Sequence, residues 1–213
     1  MKRVVVVDYG VGNLLSVTQA FAALKVVPEV SRDPDVVRQA DRLVLPGDGA
    51  FGYGMAELKA RSLDEAIHEH ALSGRPFLGI CLGMQLMMDE SDEFGHHNGL
   101  GLVPGRVTLM PSRTADGTTR RIPQVGWNAL QPGGAKSWKG TILDGLTPGK
   151  TSVYFVHSYM VEPMDPTHRL ADCDYDGLTV CAAIKRDSLV GCQFHPEKSG
   201  PLGLQILSNF TEM

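Results

Sequence analysis

Three short apolar runs, each followed by a glycine-containing loop and then by helical spacing, constrain the fold of this chain most strongly. The runs lie at 3–7, 42–45 and 76–80, and their composition is typical of strands buried on both faces of a parallel sheet. After the first run, Asn13 is suited to cap a helix whose apolar residues recur at helical spacing. Strand, loop and helix in this repeated order predict an α/β fold, with an open, mostly parallel twisted sheet and helices on both faces.

The second half of the chain has a different pattern. Four apolar segments are joined by loops and turns rather than by long helices; they lie at 106–110, 152–156, 180–184 and 189–194. This pattern predicts a mixed or antiparallel extension of the same sheet. A last helix should begin after Ser199, with Ile206, Leu207 and Phe210 on one face. Because no linker or repeat interrupts the sequence, we expect residues 1–213 to form a single domain.

Composition excludes several classes of function. A formal net charge of −4 gives no reason to expect nucleic-acid binding. The four cysteines form no Cys-x-x-Cys pair, so neither a zinc site nor a disulfide framework is expected. Free thiols, the lack of a secretion signal and the lack of a long apolar run lead us to expect a cytoplasmic protein that does not enter a membrane. We expect no metal and no cofactor.

Cys81 lies at the most informative turn of the chain. It stands between Gly79 and Gly83, directly after a buried strand and before a helical pattern. This is the nucleophile-elbow arrangement with cysteine in place of serine, in which glycines let the strand and helix cross closely. A thiol at the start of a helix is favoured as the thiolate. A buried structural cysteine is the alternative.

A nucleophilic cysteine needs a base and a group that orients the base. His195 and Glu197 lie two residues apart at the end of the last strand, so their side chains can face the same side. One ring nitrogen of the histidine can then face a carboxylate while the other faces a thiol. Of the other histidines, four are expected on the surface: His68, His70, His96 and His97.

Residues 47–52 match the Gly-x-Gly-x-x-Gly fingerprint of dinucleotide-binding loops. The context contradicts that interpretation. The loop follows the wrong strand, no acidic residue ends a strand about 20 positions later, and Asp48 would repel a pyrophosphate.

Together these segments resemble a known family. The sequence Gly-Ile-Cys-Leu-Gly-Met-Gln at 79–85 with Phe-His-Pro-Glu at 194–197 is similar to the signature of class I, triad-type glutamine amidotransferases. Within that family, nearly the whole chain resembles the glutaminase subunits of imidazole glycerol phosphate synthases. The most telling segments lie at 8–13, 46–51, 99–105, 125–128, 154–159 and 193–199. The resemblance implies a flavodoxin-like sheet and hydrolysis of glutamine to glutamate and ammonia.

The resemblance also implies roles for individual residues. Cys81 would form a γ-glutamyl thioester, His195 would transfer protons, and Glu197 would orient His195. The oxyanion hole would consist of backbone N–H groups, from Leu82 and from Asp48 or Gly49. Four side chains would hold the glutamine: Gln85, Glu93, Tyr154 and Ser158. Two positions depart from the common family pattern, since Asp48 stands where many relatives have Val and Gln124 stands where His is frequent.

A partner is expected as well. Ammonia released into water at neutral pH would be mostly protonated and useless as a nucleophile, and the sequence leaves no room for an acceptor domain. The resemblance implies a heterodimer with a (β/α)8-barrel cyclase subunit that converts the ribulosyl-formimino carboxamide ribotide PRFAR to imidazole glycerol phosphate and AICAR in histidine biosynthesis. Asn13, Trp127 and Lys198 are candidates for the interface around the ammonia exit. A glutaminase subunit for another acceptor synthase and a catalytically silent regulatory module are the alternatives.

Overall fold

The computed structural model describes residues 3–135 and 137–213. The expected single domain over 1–213 therefore includes three positions outside the described residues. The strands are β1 Val4–Val7, β2 Glu29–Ser31, β3 Arg42–Leu45, β4 Phe77–Ile80, β5 Glu90–Ser91, β6 His97–Asn98, β7 Gly105–Leu109, β8 Gln124–Pro132, β9 Ser152–His157, β10 Tyr159–Pro163, β11 Arg169–Tyr175, β12 Leu178–Arg186 and β13 Leu189–Cys192. The helices are α1 Leu14–Ala23, α2 Pro34–Arg38, α3 Phe51–Ala60, α4 Leu63–Leu72, α5 Leu82–Leu86 and α6 Gly200–Glu212.

The larger of two sheets has the strand order β2-β1-β3-β4-β13-β12-β11-β8-β9. The strands from β2 to β13 in this order are parallel, and each later pairing is antiparallel. Strands β1, β3, β4 and β13 are buried along their whole length, which explains their continuous apolar sequences. The expected parallel sheet with a mixed extension is confirmed.

Helices cover both faces of the parallel half, as the sequence predicts. On one face, α1 and α6 pack against alternate residues of the central strands, with Phe21 and Phe210 fully buried there. On the other face, α2, α3, α4 and α5 pack against the remaining strand residues, such as Leu43 and Leu45. Asn13 caps α1 as expected, because its side-chain oxygen accepts a hydrogen bond from Ser16 N at 3.1 Å.

Two features differ from the sequence prediction. The segment expected at 106–110 does not extend the large sheet: β7 lies in a second sheet with the order β10-β7-β5-β6, because it pairs antiparallel with β10. The helical region after β3 is two helices rather than one stretch, because Ser62 takes a left-handed φ of 54° between α3 and α4.

The carboxyl ends of β1, β3, β4 and β13 lie at one edge of the sheet, since these strands are neighbours and parallel. The loops that leave this edge contain Asn13, Asp48, Cys81 and His195. This is the edge at which parallel α/β sheets bind ligands. Topology alone therefore brings together residues from the two ends of the chain.

Candidate active site

Cys81 occupies a sharp turn between β4 and α5, with a φ of 52° and a ψ of −109°. The flanking glycines are required by close packing. A Cβ atom at Gly83 would lie 1.8 Å from the carbonyl oxygen of Leu45, and one at Gly79 would lie 2.7 Å from the carbonyl oxygen of Gly83. Helix α5 has only five residues, so its dipole is weaker than the sequence suggested, and local N–H donors matter more.

Strand β13, the parallel neighbour of β4, places His195 beside Cys81. Strands β4 and β13 are parallel neighbours with Ile80 opposite Cys192, and Cys81 N donates a hydrogen bond to Cys192 O at 2.8 Å. The chain then continues from Cys192 into the segment that contains His195 and the short 3-10 helix Pro196–Lys198. Both the thiol and the imidazole are buried, with exposed residue fractions of 7% and 5%.

Glu197 is hydrogen-bonded to His195 as expected, but through a turn rather than an extended segment, because Glu197 lies in the 3-10 helix Pro196–Lys198. The distance between His195 Nδ1 and Glu197 Oε1 is 2.7 Å, and the carboxylate side chain is 2% exposed. Burial of His195 opposes protonation, but hydrogen bonds and charge interactions with Cys81 and Glu197 outweigh it and raise the pKa of His195 to about 10. At neutral pH the imidazole is therefore protonated between the sulfur of Cys81 and a carboxylate, which is the arrangement of a proton donor next to a nucleophile.

Gln193 is a part of the site that the sequence analysis did not single out. It is fully buried, and its amide nitrogen donates to Cys81 Sγ at 3.6 Å. Gln85 supports it from α5, because Gln85 Nε2 donates to Gln193 Oε1 at 3.1 Å and to Tyr159 O at 3.1 Å. The position of Gln193 two residues before His195, directly after β13, is the signal that could have identified it.

The loop at 46–50 packs directly on the cysteine turn. A Cβ atom at Gly47 would lie 2.7 Å from the Cβ of Leu82, and 2.9 Å from Gly83 N. Asp48 and Gly49 are exposed, and Gly49 has a φ of +116°. Leu82 is the first residue of α5, where a helix leaves its N–H groups without intrahelical partners. The expected oxyanion groups of this loop and of Leu82 therefore belong to segments in contact.

Tyr9 is a second participant that sequence reasoning missed. It is fully buried, and its hydroxyl donates to Pro46 O at 2.8 Å, at the start of the loop. Burial raises the pKa of Tyr9 well above its usual value, and the charges of Cys81 and Asp48 add to the effect. No pattern in the sequence marked this tyrosine, because its partner is a backbone carbonyl.

The expected glutamine-binding residues take different positions. Glu93 is 8% exposed, and its Oε2 accepts a hydrogen bond from Phe51 N at 2.6 Å. Tyr154 is half-buried in β9, and its carbonyl accepts a hydrogen bond from His195 N at 2.9 Å. Ser158, also half-buried, connects β9 to β10 and accepts from Met110 N at 3.0 Å through its carbonyl.

The candidate interface residues surround this edge of the sheet. Trp127 is 56% exposed and lies opposite Tyr154 in the β8–β9 ladder, with an edge-to-face ring contact at 6.0 Å. Lys198 is exposed one residue after Glu197, and Asn13 is exposed at the start of α1. The structure therefore places all three near the loops of the site.

Two other histidines are buried, and for His70 the expected surface position is wrong. His70 is fully buried on the inner face of α4, where its Nε2 lies 3.1 Å from Pro76 O, and desolvation lowers its pKa to about 4. It follows Ile67 by three positions, so helical spacing indicates that both residues lie on the same buried face of α4. His157 Nδ1 lies 2.8 Å from Tyr159 O, and desolvation also lowers its pKa to about 4. Of the others, His68 and His96 are exposed and His97 is half-buried.

Within residues 3–135 and 137–213, no group of three or more His, Cys, Asp or Glu side chains is arranged to hold a metal ion. Over the same residues, none of the helices has the length and apolar character needed to cross a bilayer.

Comparison with known proteins agrees with the geometry. Residues 5–213 match the family model for glutamine amidotransferase class-I. The imidazole glycerol phosphate synthase subunit HisH 1 of Legionella pneumophila (strain Lens) is 49% identical over the full length of both chains. The HisH subunit of Syntrophotalea carbinolica is also 49% identical, over 99% of this chain and 100% of that relative.

Solved structures share the fold at low sequence identity. The structure of PurLQS from Thermotoga maritima has a TM-score of 0.73 at 19% identity and covers 100% of this chain and 99% of its own. A glutamine amidotransferase of Thermotoga maritima has a TM-score of 0.63 at 15% identity, covering 99% of this chain and 83% of its own. At these identities the likeness concerns the fold alone. From the family match and the two close relatives, the chain belongs to the class I glutamine amidotransferase family, among the HisH subunits of imidazole glycerol phosphate synthase.

Proposed function

We propose that this chain hydrolyses the side-chain amide of glutamine and supplies the ammonia to a second subunit of an imidazole glycerol phosphate synthase. The observation that carries the proposal is the buried arrangement of Cys81, His195 and Glu197 at the carboxyl edge of the sheet. The family match and the relatives named as HisH subunits support the choice of substrate and assembly.

In the first half of the reaction, the Cys81 thiolate attacks the carboxamide carbon of glutamine. The charge that develops on the amide oxygen accepts hydrogen bonds from Leu82 N–H and from the N–H of Asp48 or Gly49. His195 then gives its Nε2 proton to the departing nitrogen. Ammonia leaves, and a γ-glutamyl thioester remains on Cys81.

In the second half, neutral His195 takes a proton from water as that water attacks the thioester carbon. The carbon–sulfur bond breaks, glutamate leaves, and the thiolate is restored beside a protonated imidazole. Glu197 accepts the Nδ1–H of His195 throughout, which fixes the ring and stabilises its charged form. Gln193 stabilises the sulfur by donating its amide N–H.

The glutamine-binding surface is proposed to lie between α5, β9 and the segment from β5 to β6. Gln85, Glu93, Tyr154 and Ser158 belong to these elements or border them. Gln85 and Glu93 also bind other parts of the protein, so their free polar atoms would contact the substrate. We expect Tyr154 and Ser158 to complete the pocket beside the backbone of His195.

The acceptor of the ammonia is proposed to be a (β/α)8-barrel cyclase subunit that converts PRFAR to imidazole glycerol phosphate and AICAR. It would form a heterodimer with this chain across the surface that contains Asn13, Trp127 and Lys198. A single domain over residues 1–213 and a cytoplasmic location complete the proposal. The large sheet supports the single domain, because it combines strands from both halves of the chain.

A substitution of the nucleophile separates the two activities of the complex. We expect Cys81→Ser to abolish glutamine-dependent synthesis while ammonium salts still drive cyclisation by the partner, because only ammonia production needs the thiolate. Product formation with glutamine and with ammonium chloride is measured side by side. Equal loss of both activities would mean that the substitution disturbs assembly, and retained glutamine use would contradict the proposed nucleophile.

A further inference from the structure

The loop at 46–50 is held at both ends by buried hydrogen bonds from distant residues. At its start, Tyr9 Oη donates to Pro46 O at 2.8 Å. At its end, Glu93 Oε2 accepts from Phe51 N at 2.6 Å. Between these points Asp48 and Gly49 are exposed. The loop is therefore a short segment fixed at its two ends, with its exposed residues in the middle.

The bond from Glu93 replaces a missing helix cap. Helix α3 begins at Phe51 with Ala50 in the capping position, and no side chain caps it locally. Alanine is a poor cap because it has no side-chain acceptor for the free N–H groups of the first turn. The carboxylate of Glu93 provides that acceptor from 42 residues away and adds a negative charge at the positive end of the helix.

Glu93 is itself held firmly. Its backbone N–H donates to Ser91 Oγ at 3.2 Å, and both residues are buried. The same segment packs against the next residue of the helix, since a Cβ atom at Gly52 would lie 2.6 Å from the His97 ring. The segment from β5 to β6 therefore contacts the first turn of α3 twice, through the hydrogen bond to Glu93 and through packing of His97 on Gly52.

We propose that Glu93 is a positioning residue for the oxyanion loop: by capping α3 it fixes where residues 47–50 end, and so where their N–H groups can point. The inference rests on the proposed function. It adds to any contact that Glu93 makes with glutamine, because it uses the oxygen that Phe51 occupies. Tyr9 acts in the same way from the other end.

The test compares Glu93→Ala with Glu93→Gln in the complex with the cyclase subunit. The alanine variant removes the acceptor, so kcat for glutamine hydrolysis should fall about 10- to 100-fold, part of what a lost oxyanion donor costs. The glutamine variant keeps an oxygen acceptor without the charge, so kcat should return to within a few-fold of wild type. Any loss of substrate contact would appear in KM for both variants instead.

A second readout separates positioning from a general defect. Iodoacetamide alkylates the Cys81 thiolate by displacing iodide and forms no oxyanion, so its rate at Cys81, followed by peptide mass spectrometry, should be unchanged in Glu93→Ala. Tyr9→Phe should show the same combination of lower kcat and unchanged alkylation. Asp33→Ala is the matched control, because Asp33 caps α2 rather than α3 and its loss should not change kcat.

The possible outcomes are distinct. Lower kcat in Glu93→Ala with recovery in Glu93→Gln and constant alkylation supports the inference. If both variants change only KM, or if alkylation falls in parallel with kcat, the inference is overturned while the proposed function stands. A wild-type complex that releases no glutamate overturns the proposed function, and the inference with it.

Discussion

At the scale of single residues, His195 has two partners that both favour its charged form. It is buried between Cys81 and Glu197, and their interactions raise its pKa to about 10 despite the cost of burial. In an unfolded chain its pKa would be about 6.5. Between these two values the folded protein holds a proton that the unfolded protein lacks. The contribution of His195 to stability is thus complete below about pH 6.5 and is lost as the pH rises through about 10.

The difference between these two pKa values predicts how stability changes with pH. The free energy of unfolding of wild type, measured by urea denaturation, should fall between about pH 7 and pH 10. Glu197→Gln should flatten this dependence, because it removes the carboxylate that favours the charged imidazole. Glu65→Gln is the matched control, since it makes the same charge change at an exposed position in α4. Equal slopes for Glu197→Gln and wild type would refute this account of His195.

The buried histidines His70 and His157 affect the stability of the protein at acidic pH. Desolvation lowers the pKa values of His70 and His157 to about 4. Because an unfolded histidine accepts a proton below about pH 6.5, both residues reduce stability as the pH falls from 6.5 toward 4. Stability should therefore be greatest near neutral pH. There His195 is protonated and His70 and His157 are neutral, which are the charge states that the folded protein favours.

At the scale of elements, the turn at Cys81 depends on how closely α5 crosses β3 and β4. A Cβ atom at Gly83 would lie 1.8 Å from Leu45 O, and this backbone atom cannot move away without shifting β3. Gly54 in α3 provides a contrast, because a Cβ atom there would lie 3.3 Å from the flexible ends of Leu82 and Leu86.

We therefore expect Gly83→Ala to destabilise the protein by about 3 kcal/mol or more, since overpacking against backbone is costly. Gly54→Ala should change stability by only about 1 kcal/mol, because helix propensity offsets a mild crowding. Both values come from urea denaturation at pH 7. Similar stabilities of the two variants would show that α5 can move away from β3.

Some elements could be predicted from sequence and others could not. Strands β1, β3 and β4 are buried on both faces, so continuous apolar runs identify them. Strand β2 is largely exposed at the sheet edge, and β8 alternates irregularly, so neither shows a clear pattern. The placement of β7 in a second sheet depends on its pairing with β10, a long-range choice that local sequence does not specify.

The site shows the same division. Cys81, His195 and Glu197 are recognisable because their chemistry is tied to short, local spacing. Tyr9 and the contact of Glu93 with Phe51 were not found, because each joins a side chain to a backbone atom far along the chain. No local sequence pattern indicates such contacts, because only the type of one residue is involved.

At the scale of the whole molecule, the far edge of the large sheet reaches the site. Strand β9 is four strands beyond β13 in the sheet order, yet Tyr154 O accepts a hydrogen bond from His195 N at 2.9 Å. In return, Tyr154 N donates to Ser199 Oγ at 3.0 Å. The antiparallel half of the sheet therefore contacts the triad through β9. The exposed Trp127 lies opposite Tyr154 on the neighbouring strand β8. A partner that binds this surface can act on the site through β9.

The measurement that tests the central claim most directly is glutamate formation by this chain alone and together with its cyclase partner and nucleotide ligand. We expect slow hydrolysis by the isolated chain and an increase of at least about tenfold in the complex, because ammonia is useful only when an acceptor is present. Cys81→Ala should remove the activity in both states. Rapid hydrolysis without the partner, or no glutamate from the complete complex, would contradict the account.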